Sequence, residues 1–271
     1  VCFSFLWLDV YGRKPKKMPK LKYLPIAIIL AMLLSLAGLS FDVSAQPLAA
    51  TSPTLGASAS YSVLAHTTVT NKGPTTMPGD LGVSPASAVT GFPPGSVGPP
   101  GHIHKADGSA HDAQIDNTAA FGYLDQDCTT TYAGVQDLTL VTPLGPGVYC
   151  ADAFILTGNL TLIGSGVWIF KSAATLITSS GSSVTGGDPC NVWWREVSSA
   201  VIATNTEFIG NILASTSINL KTGASLAGRA MAQTGAVTLD SNTITAAECL
   251  APPAPTATKK PTTKPTTKPK S

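Results

Sequence analysis

The sequence predicts a β-solenoid accompanied by one long helix. Three observations carry that prediction: a repeat of 18 to 19 residues, period-two alternation inside each repeat, and one isolated stretch of helical periodicity.

The repeat is plainest in the last third of the chain, where Phe208-Ile209-Gly210-Asn211 aligns with Leu226-Ala227-Gly228-Arg229 at an offset of 18. Ala214 maps onto Ala232 at the same offset, and Ile218 and Leu220 map onto Val237 and Leu239 at 19, after one inserted residue. Going backwards, Ile202, Thr204 and Phe208 match Leu220, Thr222 and Leu226. Such a repeat is too short for helical arrays and fits one solenoid coil of three short strands. Within the coils, Ile218, Leu220, Val237 and Leu239 point one way, while Asn219 and Thr238 point the other. The pieces 156–162, 167–170 and 174–184 have the same patterning at less regular spacing, so the early coils are expected to be irregular.

The helix falls in 107–124, with an apolar stripe of Ala110, Ala113, Ile115, Ala119, Ala120, Tyr123 and Leu124, and with Asp107 or Ser109 as its N-cap. The Gly/Pro-rich run 91–101 before it is turn and loop material. The helix is expected to lie along one face of the solenoid.

Charged residues are only 12% of the chain, while Gly, Thr, Ser, Ala and Val are abundant. From Gly56 to Leu250 six Lys or Arg stand against thirteen Asp or Glu, a net charge of −7, which excludes nucleic acid as a partner. From Met18, two lysines lead into the apolar run 24–39 and then Val43-Ser44-Ala45, the pattern of a secretory signal peptide over 18–45. Residues 1–17 read as upstream read-through or a leader, 46–55 as a flexible lead-in and 56–250 as the folded domain. Residues 251–271, made of Ala, Pro, Thr, Lys and one Ser, read as a disordered tail. The expected location is therefore extracellular, with the tail's five lysines suited to an anionic cell-wall polymer.

Export leaves four cysteines, and of the three possible pairings the favoured one joins Cys128 to Cys150 and Cys190 to Cys249. No cysteine pair has the two-residue spacing of a zinc site, and no metal or cofactor is assigned.

The stretch from Val63-Leu64-Ala65 through Thr70-Asn71 to Pro78-Gly79-Asp80-Leu81-Gly82-Val83-Ser84-Pro85 resembles the start of the microbial ice-binding-like proteins. So do Gly91-Phe92-Pro93-Pro94-Gly95, Pro146-Gly147-Val148-Tyr149, Leu156-Thr157-Gly158-Asn159-Leu160-Thr161-Leu162 and Trp168-Ile169-Phe170. The run from Cys190-Asn191-Val192-Trp193-Trp194 through Gly228-Arg229-Ala230-Met231-Ala232 to Thr245 completes a match in unbroken order from Tyr61. The resemblance implies a right-handed, discontinuous β-helix of triangular cross-section with one long helix alongside. It also implies a flat face on which motifs of Thr, Ala or Gly, any residue, then Thr or Asn recur from coil to coil. The nearest matches are Thr222-Gly223-Ala224-Ser225, Thr204-Asn205-Thr206-Glu207 and Ser241-Asn242-Thr243, which makes Thr204, Thr206, Thr222, Ser225, Ser241 and Thr243 the candidate ice-binding residues. The expected partner is an ice crystal surface, bound by a monomer; the alternative reading is an extracellular adhesion or carbohydrate-binding surface module on the same scaffold.

Threonine suits such a face because its methyl discourages bulk-like hydration, its hydroxyl holds one water and its β-branching limits rotamers. Lys221, Asp240 and Glu207 stand near the proposed rows. Other constellations have simpler readings. His102, His104 and His111 sit at a loop-to-helix junction and read as hydrogen-bonding residues, and Asp107, Asp112 and Asp116 as the helix's solvated edge. Trp168, Trp193 and Trp194 alternate with Val192 and Ile169 and read mainly as core, although exposed tryptophans would suit sugar stacking. No paired carboxylates, Ser-His-Asp set or phosphate loop points to an enzyme, so no catalytic residue is assigned.

Overall fold

The computed structural model describes residues 49–245. The signal peptide, the basic tail and Cys249 lie outside the described residues. What is described is three parallel sheets around one apolar lumen, with one α-helix outside them: sheet A of nine strands includes Tyr61–Ala65, sheet B of eight includes Thr68–Lys72 and sheet C of seven includes Thr76–Met77. Each complete coil contributes one strand to each sheet, and neighbouring strands belong to coils stacked about 4.8 Å apart.

The predicted register holds. Phe208 pairs with Leu226, Ala214 with Ala232, Ile202 with Leu220 and Ile218 with Val237. The early coils step by more residues, as where Phe170 pairs with Trp194. Stacking order departs from chain order at one place. The strands Tyr61–Ala65, Thr68–Lys72 and Thr76–Met77 stack on Ala230–Ala232, Val237–Asp240 and Thr243–Ile244, the coil formed by the far end of the domain. Asp80–Val83, Ala88–Thr90 and Ser96–Val97 add the next coil, and Ile103–Lys105 ends sheet A there. The chain then crosses to the other end of the stack, where Thr130–Thr131 and Val135–Asp137 form the opposite edges of sheets A and B.

The helix α1, Gly108–Tyr123, makes that crossing, about 24 Å long at 1.5 Å per residue. Asp107 caps it by accepting the Ala110 N–H at 2.9 Å, whereas the Ser109 hydroxyl bonds the Tyr61 phenol at 2.7 Å. Its buried face differs from the apolar stripe read in the sequence. Ala110, Ala113, Gln114, Asn117 and Ala120 are buried, while Ile115, Ala119 and Tyr123 face solvent. The reason is the partner surface: sheet A already offers Tyr61, Leu64, Val148, Ile169, Trp193, Leu213 and Met231, so small helix residues permit close approach. Gln114 Nε2 meanwhile donates to the Ala232 carbonyl at 3.1 Å.

Sheet A is thus apolar on both sides, which explains strands buried along their whole length such as Tyr61–Ala65. In the lumen Tyr149, Phe170 and Trp194 of sheet A and Phe208 of sheet C form an aromatic column, with successive ring centroids 5.3, 4.2 and 4.8 Å apart. A disulfide joins Cys128 to Cys150 across the first turn of the stack, as expected. Cys190 is also disulfide-bonded. The described part of the expected flexible lead-in, 49–55, is tied down instead: Leu55 is buried, and Ser52 Oγ accepts from Trp193 Nε1 at 2.9 Å and donates to Asn191 at 3.1 Å. Composition marks this segment as polar, but the indole behind it needs a hydrogen-bond acceptor.

Candidate functional site

With α1 over sheet A, sheets B and C present the remaining outward faces, and the candidate hydroxyls divide between sheet C and the corner joining the two. That corner repeats in six stacked coils. Its backbone turns through a left-handed residue, Gly181, Asn205, Gly223, Ser241, Gly73 or Gly91, with φ between 53° and 79°. Each of four successive turns donates an N–H to the neighbouring coil: Gly181 to Thr204, Asn205 to Thr222, Gly223 to Asp240 and Ser241 to Lys72. The Gly or Asn inside the Thr-x-x-Ser/Thr motif is therefore a turn requirement, since these residues enter the left-handed region at least cost.

In four of these coils the residue after the left-handed one points into the lumen. Ser182, Thr206, Ala224 and Asn242 occupy that inward position and are buried. Thr206, a candidate contact residue, thus lies inside the solenoid with no exposure, its hydroxyl donating to the Ser179 carbonyl at 3.1 Å. Asn242 fills the same place one coil away and donates to the Lys221 and Ala224 carbonyls at 2.8 and 3.0 Å.

The other candidates do not share one plane. Thr204, Thr222 and Ser241 lie along the corner. The Thr222 hydroxyl is committed to Asp240 Oδ2 at 2.6 Å, and this bond, with a weaker contribution from Ser241, holds the exposed carboxyl below its usual range. Ser225 and Thr243 pair with each other on sheet C, in the row Asn159, Ser183, Glu207, Ser225, Thr243, Thr76, Ser96. Glu207, third in that row and next to Ser225, is exposed.

Sheet B carries a longer unbroken row that candidate selection by motif passes over. Thr90, Thr70, Thr238, Asn219, Val201, Ile177, Ile155 and Asp137 stand in register across all eight strands, pointing outward. Only its last member, Asp137, is charged. Beside it, toward sheet A, run Ala88, Thr68, Ala236, Ser217, Ser199, Thr175 and Ala153, also uncharged and linked coil to coil by backbone bonds such as Ile218 N–H to Ala236 O and Ala200 N–H to Ser217 O. Asn219 and Thr238 are legible as outward residues from alternation alone. Thr70 and Thr90 are not, because nothing local says that the first coils stack on the last.

The remaining constellations are structural. His104 Nδ1 lies 2.8 Å from Asp107 Oδ2 and its Nε2 3.7 Å from Asp80 Oδ1, tying the helix cap to the edge strand. Asp116 accepts the Ala57 N–H at 2.6 Å, while Asp112 and His111 are exposed. Trp168, Trp193 and Trp194 are buried, so none of the three offers a ring to a sugar.

The model of the ice-binding-like family matches residues 63–245. An ice-binding protein of Nostoc sp. (strain HG1) is 42% identical over 231 residues, covering 80% of this chain and 81% of that one. Another, of Flavobacterium frigoris (strain PS1), is 34% identical over 211 residues, covering 70% and 75%. Among solved structures, the ice-binding protein of the Antarctic ascomycete Antarctomyces psychrotrophicus matches with a TM-score of 0.66 at 34% identity, covering 73% of this chain and 99% of that one.

Proposed function

Because the chain belongs to the ice-binding-like family, we propose that it adsorbs to ice through the outward face of sheet B, blocking crystal growth or recrystallisation without turnover. The supporting observation is the registered row from Thr90 to Ile155, seven strands wide and free of charge. Side chains repeated at about 4.8 Å form a regular lattice of methyls and hydroxyls over which water can order. Charged groups bind water too strongly and in the wrong orientations for that purpose. Sheet C, with Glu207 in its central row, is the poorer plane, and the corner hydroxyls Thr204, Thr222 and Ser241 border sheet B instead of forming it.

Secretion through the signal peptide, action as a monomer and association of the basic tail with an anionic wall polymer complete the reading. The test is thermal hysteresis and recrystallisation inhibition of wild type, Asn219→Tyr and Ser225→Tyr. Asn219→Tyr should lose most activity while unfolding at the wild-type temperature, and Ser225→Tyr should keep it. Loss in Ser225→Tyr alone would move the plane to sheet C, and an inactive wild type would overturn the proposal.

A further inference from the structure

The central row of sheet B changes character halfway. Thr90, Thr70, Thr238 and Asn219 give way at Val201 to Ile177 and Ile155, three aliphatic side chains in direct register. Ile177, at the middle of the three, is 45% exposed.

The borders of the two halves also differ. At the corner ends of the strands, the threonine half is edged by Lys221, Asp240 and Lys72, with Lys72 and Asp240 in register. The aliphatic half is edged by Ala203, Ser179 and Thr157 on that side and by Ser199, Thr175 and Ala153 on the other. Hydroxyls thus flank the apolar strip on both sides, and no charge adjoins Ile177 or Val201 within the sheet; the one carboxylate in register with the strip, Asp137 beside Ile155, is turned to the Thr157 hydroxyl and the Thr139 N–H.

From this we infer that Ile155, Ile177 and Val201 are the specificity-determining residues of the face, fixing which ice plane is bound, and that the threonine half adds contact without selecting the plane. The inference rests on sheet B being the adsorbing face. Water over a methyl plateau has no protein group to bond and must complete its hydrogen bonds with other water, the arrangement that continues into ice. The flanking hydroxyls of Thr175, Ser199 and Ser179 pin the margins of that layer. Beside the threonine half, the ammonium and carboxylate groups orient the nearby waters toward themselves.

Two reciprocal double swaps test this: Ile177→Thr with Val201→Thr adds hydroxyls to the plateau and shortens the side chain at 177, and Thr70→Val with Thr238→Val removes them from the other half without changing its shape. Fluorescently labelled proteins adsorbed to single-crystal ice hemispheres report the planes bound, and thermal hysteresis reports strength. The plateau swap should change or erase the pattern of planes and lower hysteresis several-fold. The threonine swap should leave the pattern as in wild type. An unchanged pattern in the plateau swap, or a changed one in the threonine swap, overturns the inference. The same assay on Asn219→Tyr separates the two levels: if that variant abolishes adsorption while the plateau swap does nothing, only the inference falls. If Asn219→Tyr adsorbs as wild type does, sheet B is not the face and both fall.

Discussion

Ser172 donates its hydroxyl hydrogen to Glu196 Oε2 inside the lumen, from a strand with which Glu196 stands in register. The other carboxylate oxygen, Oε1, is buried and has no partner among the described residues. Burial pushes this carboxyl up to about 8, against which the Ser172 bond and nearby Arg195 act only in part. Glu196 is therefore protonated in the folded protein at neutral pH and ionised in the unfolded chain.

The sign of the resulting pH dependence follows. A carboxyl raised on folding costs nothing below its unfolded value of 4.5, and the cost grows as pH rises until it is complete near 8. Wild type should lose stability across that window, by no more than ~5 kcal/mol at 1.36 kcal/mol per unit. Glu196→Gln keeps the shape and cannot ionise. Melting temperatures at pH 5, 7 and 9 should show the variant gaining on wild type at each step, and parallel curves would mean that Glu196 is not held neutral.

Lys171 and Arg195, also in register, clamp the C-terminal end of α1. Lys171 Nζ meets Asp125 Oδ1 at 2.7 Å and the Gln126 carbonyl at 2.6 Å. Arg195 Nε donates to the Phe121 carbonyl at 3.0 Å, and its guanidinium lies 4.3 Å from the Phe121 ring centroid. Cations at a helix C-terminus also oppose its dipole. Arg195→Ala should cost ~1–3 kcal/mol, since it removes a hydrogen bond and a ring contact together. Lys171→Ala should cost ~1 kcal/mol or less, its carboxylate partner being more than half exposed. Urea denaturation ranks the two, and equal costs would refute the ring contact's contribution.

Much of this is legible in the sequence where the physics is local. Leu220, Leu226 and Leu239 repeat because each coil must fill the same lumen, and Asp107 reads as a cap because its carboxylate can reach an orphan N–H. The helix face is not legible in the same way: Ile115 and Tyr123 fit a 3.6-residue period, while the surface α1 packs against is already filled by Trp193 and Ile169 and selects Ala113 and Ala120. Thr206 reads as a surface residue because its motif resembles a strand repeat. In fact the left-handed Asn205 before it reverses the alternation. The sheet B row stays hidden because Thr70 meets Thr238 only after the discontinuous stacking is known.

That junction depends on Arg229. Its Nη2 and Nε donate to the Ala59 carbonyl at 2.8 and 3.2 Å, and its Nη1 to Asn211 Oδ1 at 3.1 Å, so one side chain joins the N-terminal segment to the C-terminal coils. It is 3% exposed, and burial lowers its guanidinium from the ordinary arginine value. Arg229→Met keeps most of the volume and strands both neutral acceptors, at a cost of ~1–3 kcal/mol for each. The signature is regional: hydrogen exchange should rise first in Tyr61–Ala65 and Thr68–Lys72. Uniform acceleration throughout the domain would mean that Arg229 does not specifically hold the junction.

Lys72 and Asp240 face each other across neighbouring strands at the corner edge of sheet B, and removing both charges leaves the net charge unchanged. If ionised groups limit the ordered layer, Lys72→Gln with Asp240→Asn should widen the plane and raise thermal hysteresis. The amide that replaces the Asp240 carboxylate still offers an oxygen to the Thr222 hydroxyl, so the corner turn should hold and the melting temperature should change little. A general solubility or charge effect is excluded by the matched control Lys105→Gln with Asp112→Asn, a pair on the strand Ile103–Lys105 and on α1, both away from sheet B. Higher hysteresis in the corner variant alone would place the boundary of the adsorbing plane at Lys72 and Asp240. A fall would mean that these charges take part in adsorption, and that the plane extends across the corner toward Thr222.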